Sequence, residues 1–308
     1  MNDAYYTQTG ERPELAALEV NPPEGYIGSK ILPSVPVTEK SGTVFYADVT
    51  ADEAAETDRA TGSGPDSTQI AGTSAAMTCT EAARRGKISP DEAKTMGGID
   101  KADLVGSKYA KRCVMNALET AIATEILGTA DGHFDAQKLM ADAQTALDAV
   151  RLYEGKTALI GSTMVLKRVV QALLNDVQSS KIFARLIAGG NPAQAATGMN
   201  FNAWMNGLAM FLGVDEVLAG DNVIWNAAGS TAEKFAIAKL DDGSDPLSHK
   251  WKPVLGKVFQ FMPDSKNPWV IQSVADRVNV NNLYDAYLWY DVMIMNATAV
   301  YVFDGVSA

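Results

Sequence analysis

The side chains that most often carry chemistry are scarce in this chain. Its two histidines, His133 within Gly132-His133-Phe134 and His249 within Ser248-His249-Lys250, are its only side chains that titrate near neutrality unperturbed. Each sits in a loop-like stretch with no second ligand or base at useful spacing, the pattern of a surface or turn histidine. A Ser-His-Asp unit would need one of them, and no Gly-x-Ser-x-Gly elbow accompanies either. Gly155-Lys156-Thr157 resembles the end of a phosphate-binding loop, but Val150 stands where that loop needs its first glycine. Gly62-Ser63-Gly64 opens like a dinucleotide-binding turn and fails at Ser67, with no strand-to-helix context around it. Asp241-Asp242-Gly243-Ser244-Asp245 lacks the alternating acids and closing glutamate of a calcium loop and reads as a solvated turn. The adjacent carboxylates Asp52 and Glu53 lie in a polar tract with nothing to desolvate them. Cys79 and Cys113 form no Cys-x-x-Cys pair, which fits unpaired thiols in a reducing compartment. The expectation is a chain with no catalytic residue, no cofactor and no metal site.

With catalysis unsupported, composition bounds the remaining classes. A chain of 308 residues, 47% hydrophobic and 20% charged, is long enough for one large domain or two ordinary ones. No uncharged apolar run is long enough to span a membrane. The first 25 residues have neither a basic segment nor an apolar core, so secretion is not expected. Acids outnumber bases 37 to 26, for a net charge of −11. Nucleic-acid binding rests on Lys and Arg neutralising phosphates, so gripping DNA or RNA is not the expected activity. An acidic shell can still enclose DNA.

Residues 1–36 read as an extended arm, because Pro13, Pro22, Pro23, Pro33 and Pro36 exclude a long helix or a central strand. Residues 37–87 read as a long hairpin: strand-like residues to 49, a polar middle, and strand-compatible residues from 67. The stretch from Asp48 to Asp58 holds five acids and no base, a composition that cannot offset its own ordering. Such a hairpin needs another surface to rest on. Residues 88–149 carry a helix of about 28 residues closing near Gly128, with Met115, Leu118, Ile122 and Ile126 on one apolar stripe. Lys101, Lys108, Lys111 and Arg112 give its first half a basic face. Asp103 suits the positive end of its dipole. Residues 150–256 alternate short strands and helices, including a strand expected at Val223–Trp225. Residues 257–308 return to strands, with aromatic residues at Trp269, Tyr284, Tyr287, Trp289, Tyr290, Tyr301 and Phe303 that read as sheet core and surface.

This order resembles the major capsid proteins of tailed bacteriophages with the Hong Kong 97-type fold. Ile31-Leu-Pro-Ser-Val-Pro-Val37 followed by Ser41-Gly-Thr-Val-Phe-Tyr-Ala-Asp48 is similar to that family's lead-in to its extended loop. The run from Gly98 to Leu127 resembles its spine helix, that from Gly207 to Asn226 its axial domain, and that from Tyr284 to Phe303 its closing strands. The resemblance implies an α+β fold: an N-terminal arm at 1–36, an extended loop at 37–87, a spine-helix peripheral domain at 88–149 completed by 257–308, and an axial domain at 150–256. It further implies a non-enzymatic virion protein, assembled in the host cytoplasm, that forms pentamers and hexamers of an icosahedral shell around double-stranded DNA. Its partners would be copies of itself, a separate scaffolding protein, a portal and a decoration protein, with no membrane. The acids Asp52, Glu53 and Glu56 on the loop would meet the bases Lys108, Lys111 and Arg112 of a neighbouring subunit. Two alternatives remain: an encapsulin-type nanocompartment shell, and a soluble α/β enzyme centred on 150–256.

Overall fold

A computed structural model of the chain describes residues 5–23, 25–48, 72–176, 179–188, 201–227, 233–263 and 267–306. The arm carries β1 (Gly10–Glu11), α1 (Pro13–Ala16), α2 (Gly28–Ile31) and β2 (Ser34–Val37). The hairpin follows as β3 (Ser41–Ala47) and β4 (Gly72–Thr78). Then come β5 (Thr80–Ile88), α3 (Pro90–Thr95) and the long α4 (Ile99–Ile126). The middle block is β6 (Gly132–His133), α5 (Leu139–Val150), β7 (Lys156–Ser162), α6 (Thr163–Asn175), α7 (Ser179–Ala188), α8 (Phe201–Leu212), β8 (Glu216–Gly220), α9 (Ile224–Ala227) and β9 (Phe235–Leu240). The chain closes with β10 (Gly256–Phe261), β11 (Trp269–Asp276), β12 (Asn281–Ile294) and β13 (Val300–Asp304).

Two main sheets result. The first is built on β12, which pairs antiparallel with β11, β5 and β10, while β1 and β2 add at the edges. Pro36 sits in β2, an edge strand, where its missing N–H leaves no gap in a ladder. Tyr284, Ala286 and Leu288 alternate along β12 toward one face, which α4 covers. The second sheet, ordered β6-β13-β9-β7-β8, has both faces covered. Leu159 of β7 faces a core shared with α5, α6 and α8, while Ala158 and Ile160 face one shared with the end of α4. Burial on both sides explains why this strand reads as an unbroken apolar run. The architecture is α+β, as expected.

Local signals fix most boundaries. Ser89 and Glu92 form a reciprocal capping box at the start of α3, with Pro90 at its first position. Ser162 caps α6 by accepting from the Val165 N–H. Three departures from the sequence expectation have physical causes. Val223–Trp225, expected as a strand, leads into α9, because the Asp221 carboxylate accepts from the N–H groups of Val223 and Ile224 and caps a helical turn. Helix α7 was not expected; Asp176 accepts from Ser179 N at its start. Residues 80–87, read as part of the hairpin, belong with Ile88 to β5, which pairs with β12 in the large sheet through nine register positions. The free hairpin is therefore β3 and β4 alone.

The helix and the sheet approach closely where α4 crosses β12. A Cβ on Gly106 would overlap the Tyr284 ring, and one on Gly86 would meet the Gly106 carbonyl. Replacing Gly106 with Ala should therefore lower stability by about 1–3 kcal/mol through overpacking, although Ala is favoured in helices by about 1 kcal/mol. A urea-unfolding midpoint that rises in this variant would contradict the packing described.

Candidate assembly interface

Three buried charged side chains on α4 tie the subunit together. Asp103, Lys111 and Glu119 are spaced eight residues apart and are each at most 5% exposed. At 1.5 Å per residue they span about 24 Å of helix, stepping around its surface because eight residues overshoot two turns. The arm follows them. Asp103 accepts from Arg12 Nη1 at 3.1 Å and from the Tyr284 hydroxyl at 2.7 Å. Lys111 Nζ donates to the carbonyls of Ala16 and Leu18 at 2.6 and 2.8 Å and lies over the Trp269 ring. Burial draws the Lys111 ammonium down to about 8. Further up the arm, Thr7 N donates to Asn282 Oδ1, and Ser273 Oγ donates to the Gln8 carbonyl.

Glu119 is the junction. Its Oε1 accepts from Ile27 N at 2.7 Å, Gly28 N at 2.9 Å and Trp225 Nε1 at 2.8 Å. One carboxylate thus joins the arm, the spine helix and the axial domain. Gly28 is required here, since a Cβ would collide with Glu119 Oε2 and with Ile122. Hydrogen bonds to a charged acceptor are stronger than neutral ones, and this acceptor is dry.

A second buried ionic cluster closes the axial block against the large sheet. Asp241 Oδ2 accepts from Lys257 Nζ at 2.5 Å and Ser248 Oγ at 2.7 Å, while Lys252 Nζ lies 2.9 Å from Oδ1. Burial alone would raise the Asp241 carboxyl, but the bonds to Lys257, Ser248 and Lys252 together outweigh it and hold it down at about 2.

The hairpin contrasts with this self-contained body. Of β3 and β4, only Val44, Ala47 and Met77 are buried. Val44, Met77 and Cys79 anchor the base against Val35, Val254, Phe259 and Met295. Lys40 stacks over Trp289 at 4.3 Å, and Thr78 N donates to Asp291 Oδ2. Beyond this base the two strands stand as a sheet of their own.

Of the residues expected at a subunit contact, Asp52, Glu53 and Glu56 lie outside the described residues. Lys108 and Arg112 are exposed on α4 beside the exposed apolar side chains of Leu104, Val105 and Tyr109. Arg112 also lies near Tyr26, opposing the upward pull of burial on that phenol. Lys111 does not share their face. The arm crosses the helix there, and Lys111 is turned inward to its carbonyl oxygens. Of the two histidines, both expected as surface or turn residues, His133 is exposed and contacts Asp304, whereas His249 lies in the turn Ser248–Lys250 and is buried there. Asp103 and Glu119, unassigned or assigned to the helix dipole by sequence, carry visible signals in retrospect. Glu119 is four residues after Met115 and three before Ile122, on the apolar stripe itself.

Truncating Glu119 to Ala strands three buried N–H groups, each costing about 1–3 kcal/mol. The variant should lose at least about 3 kcal/mol by urea unfolding, and a loss under 1 kcal/mol would remove Glu119 from its junction role. The Asp241 cluster predicts acid lability with a definite sign. Its folded value lies below the unfolded carboxylate value near 4, so its stabilisation is complete above about pH 4 and lost as pH falls toward 2. Asp241→Asn should flatten the stability profile across that window.

No family model and no curated protein sequence matches the chain. Solved structures do. A phage-related protein from Bordetella bronchiseptica superposes with a TM-score of 0.61 at 14% identity, covering 96% of this chain and 97% of that one. The capsid of cyanophage P-SCSP1u gives a TM-score of 0.54 at 9% identity over 94% and 90%. An encapsulin from Synechococcus elongatus gives 0.50 at 11% identity over 96% and 95%. The likeness extends over nearly the whole chain, which has the Hong Kong 97-type fold of the tailed-phage major capsid proteins.

Proposed function

We propose that the chain is a major capsid protein: a structural, non-enzymatic subunit that assembles with copies of itself into pentamers and hexamers of an icosahedral phage head enclosing double-stranded DNA. The observation that carries this reading is the hairpin. The arm and the spine helix are tied to the body by buried hydrogen bonds, while β3 and β4 leave most of their surface uncovered. A two-stranded ribbon is marginal in water without a further surface. A second copy is a surface that a repeating shell always supplies. Sequence charge adds a specific contact, in which Asp52, Glu53 and Glu56 of one subunit meet Lys108 and Arg112 of the next. Each exposed pair contributes only about 0–1 kcal/mol, but a closed shell repeats the contact throughout. Scaffolding, portal and decoration proteins would act as separate partners of the virion.

The encapsulin reading uses the same fold and differs in contents, so cargo discriminates them. Copurified DNA supports the phage head, and a copurified enzyme supports the nanocompartment.

Sedimentation tests the reading. The purified chain, alone or coexpressed with its phage head genes, should run as capsomers or shells, and persistence as a monomer or dimer under both conditions would overturn it. A variant with Asp52, Glu53 and Glu56 all changed to Lys should keep its circular dichroism and melting temperature yet lose assembled species. Unimpaired shells from that variant would remove the charge contact while leaving the shell reading intact.

A further inference from the structure

The hairpin joins its own subunit over a small area, and a buried histidine lies beneath it. Strand β3 rests on the turn Ser248–Lys250. Between them is a cavity of about 500 Å3 walled by Val35, Val44, Met77, Phe259 and His249, with Phe45 at its hairpin side. His249 is 2% exposed, and its Nδ1 has no hydrogen-bond partner among the described residues. Its ring meets Phe259 edge-on, with centroids 5.7 Å apart. A neutral imidazole suits such a wall, whereas an imidazolium would have to surrender its hydration there.

The surrounding charges offer a proton little compensation. Lys257, fully buried on β10, and Lys250 on the same turn both oppose protonation. Asp245 and the Pro246 carbonyl favour it. Asp241 is already committed to Lys257, Lys252 and Ser248. From the hairpin side, Glu39 lines the same cavity. Burial first, and Lys257 second, keep the imidazole below its ordinary value.

We propose that His249 is an acid-sensitive latch for the hairpin. Neutral, it forms part of the wall on which β3 rests; protonated when the wall opens and admits solvent, it holds that wall open and releases the hairpin base from its own subunit. The sign follows from the depressed folded value. The latch holds fully above the ordinary histidine value of about 6.5 and gives way as pH falls below it. Its effect on assembly rests on the shell reading, because the hairpin is the element offered to a neighbour. The latch itself belongs to the single chain.

Hydrogen exchange on the unassembled chain at pH 7.5 and 5.5, corrected for intrinsic rates, tests it. At pH 5.5 residues 41–47 and 72–78 should lose severalfold protection relative to β12, up to a one-site limit of about tenfold, and His249→Phe should abolish that loss. His249→Gln, also neutral at both pH values, serves if the Phe variant fails to fold. Equal loss in the wild type and the neutral variant, loss spread evenly over β12, or no loss in the wild type overturns the proposal. With only two histidines in the chain, an NMR titration adds an independent check. His249 should titrate below the ordinary histidine value of about 6.5, and a value at or above it overturns the latch. A chain that passes these tests and never forms a shell would contradict the assembly reading alone.

Discussion

A buried carboxylate must find all its donors inside the protein, and Glu119 on the spine helix finds them in two distant parts of the chain. The arm supplies two backbone N–H groups and the axial domain supplies the Trp225 indole. Breaking any of the three contacts leaves a polar group dry and unpaired, so arm, spine helix and axial block are held in one relative placement. Asp103 and Lys111 extend the same constraint along the helix and hold the arm against its own subunit. The ordering cost of this proline-bearing segment is offset by hydrogen bonds to a rigid helix together with burial of Leu15, Ile27, Ile31, Leu32 and Val35 against the rest of the chain.

A division of labour follows. The arm is satisfied within the chain, and the hairpin is not. On the proposed shell reading, a subunit would need a stiff body, so that small errors in angle do not accumulate over many copies, and a projecting element that reaches the next copy. The ionic cluster at Asp241 and the aromatic packing around Trp289 stiffen the place where the hairpin leaves. His249 sits in that same place.

Much of this was legible in the sequence, for reasons that differ by element. The spine helix announced itself through its apolar stripe and its length. The arm did so through prolines, and the hairpin through a composition that cannot fold alone. The charged hooks were harder to read, because Asp, Lys and Glu on a helix ordinarily face water. For Lys111 and Glu119 only a position on or beside the apolar stripe betrayed them. Lys111 was therefore placed with Lys108 and Arg112 on a basic face, and the crossing arm, a tertiary feature, decided otherwise. Val223, Ile224 and Trp225 have strand propensity, and a local cap from Asp221 overrode it. His249 stood among polar and charged neighbours and read as exposed, while the hairpin that covers it lies some 200 residues earlier in the chain. What sequence pattern misses here is consistently what distant segments do to one another.

The central claim is that the arm acts within its own subunit and the hairpin acts on the next. Electron cryomicroscopy of the assembled chain at side-chain resolution tests it directly. The account predicts a closed shell in which Ile27 and Gly28 of each subunit bind that subunit's own Glu119 while β3 and β4 lie across a neighbour. A shell whose arms cross to neighbouring spine helices, or whose hairpins fold back on their own bodies, would contradict it.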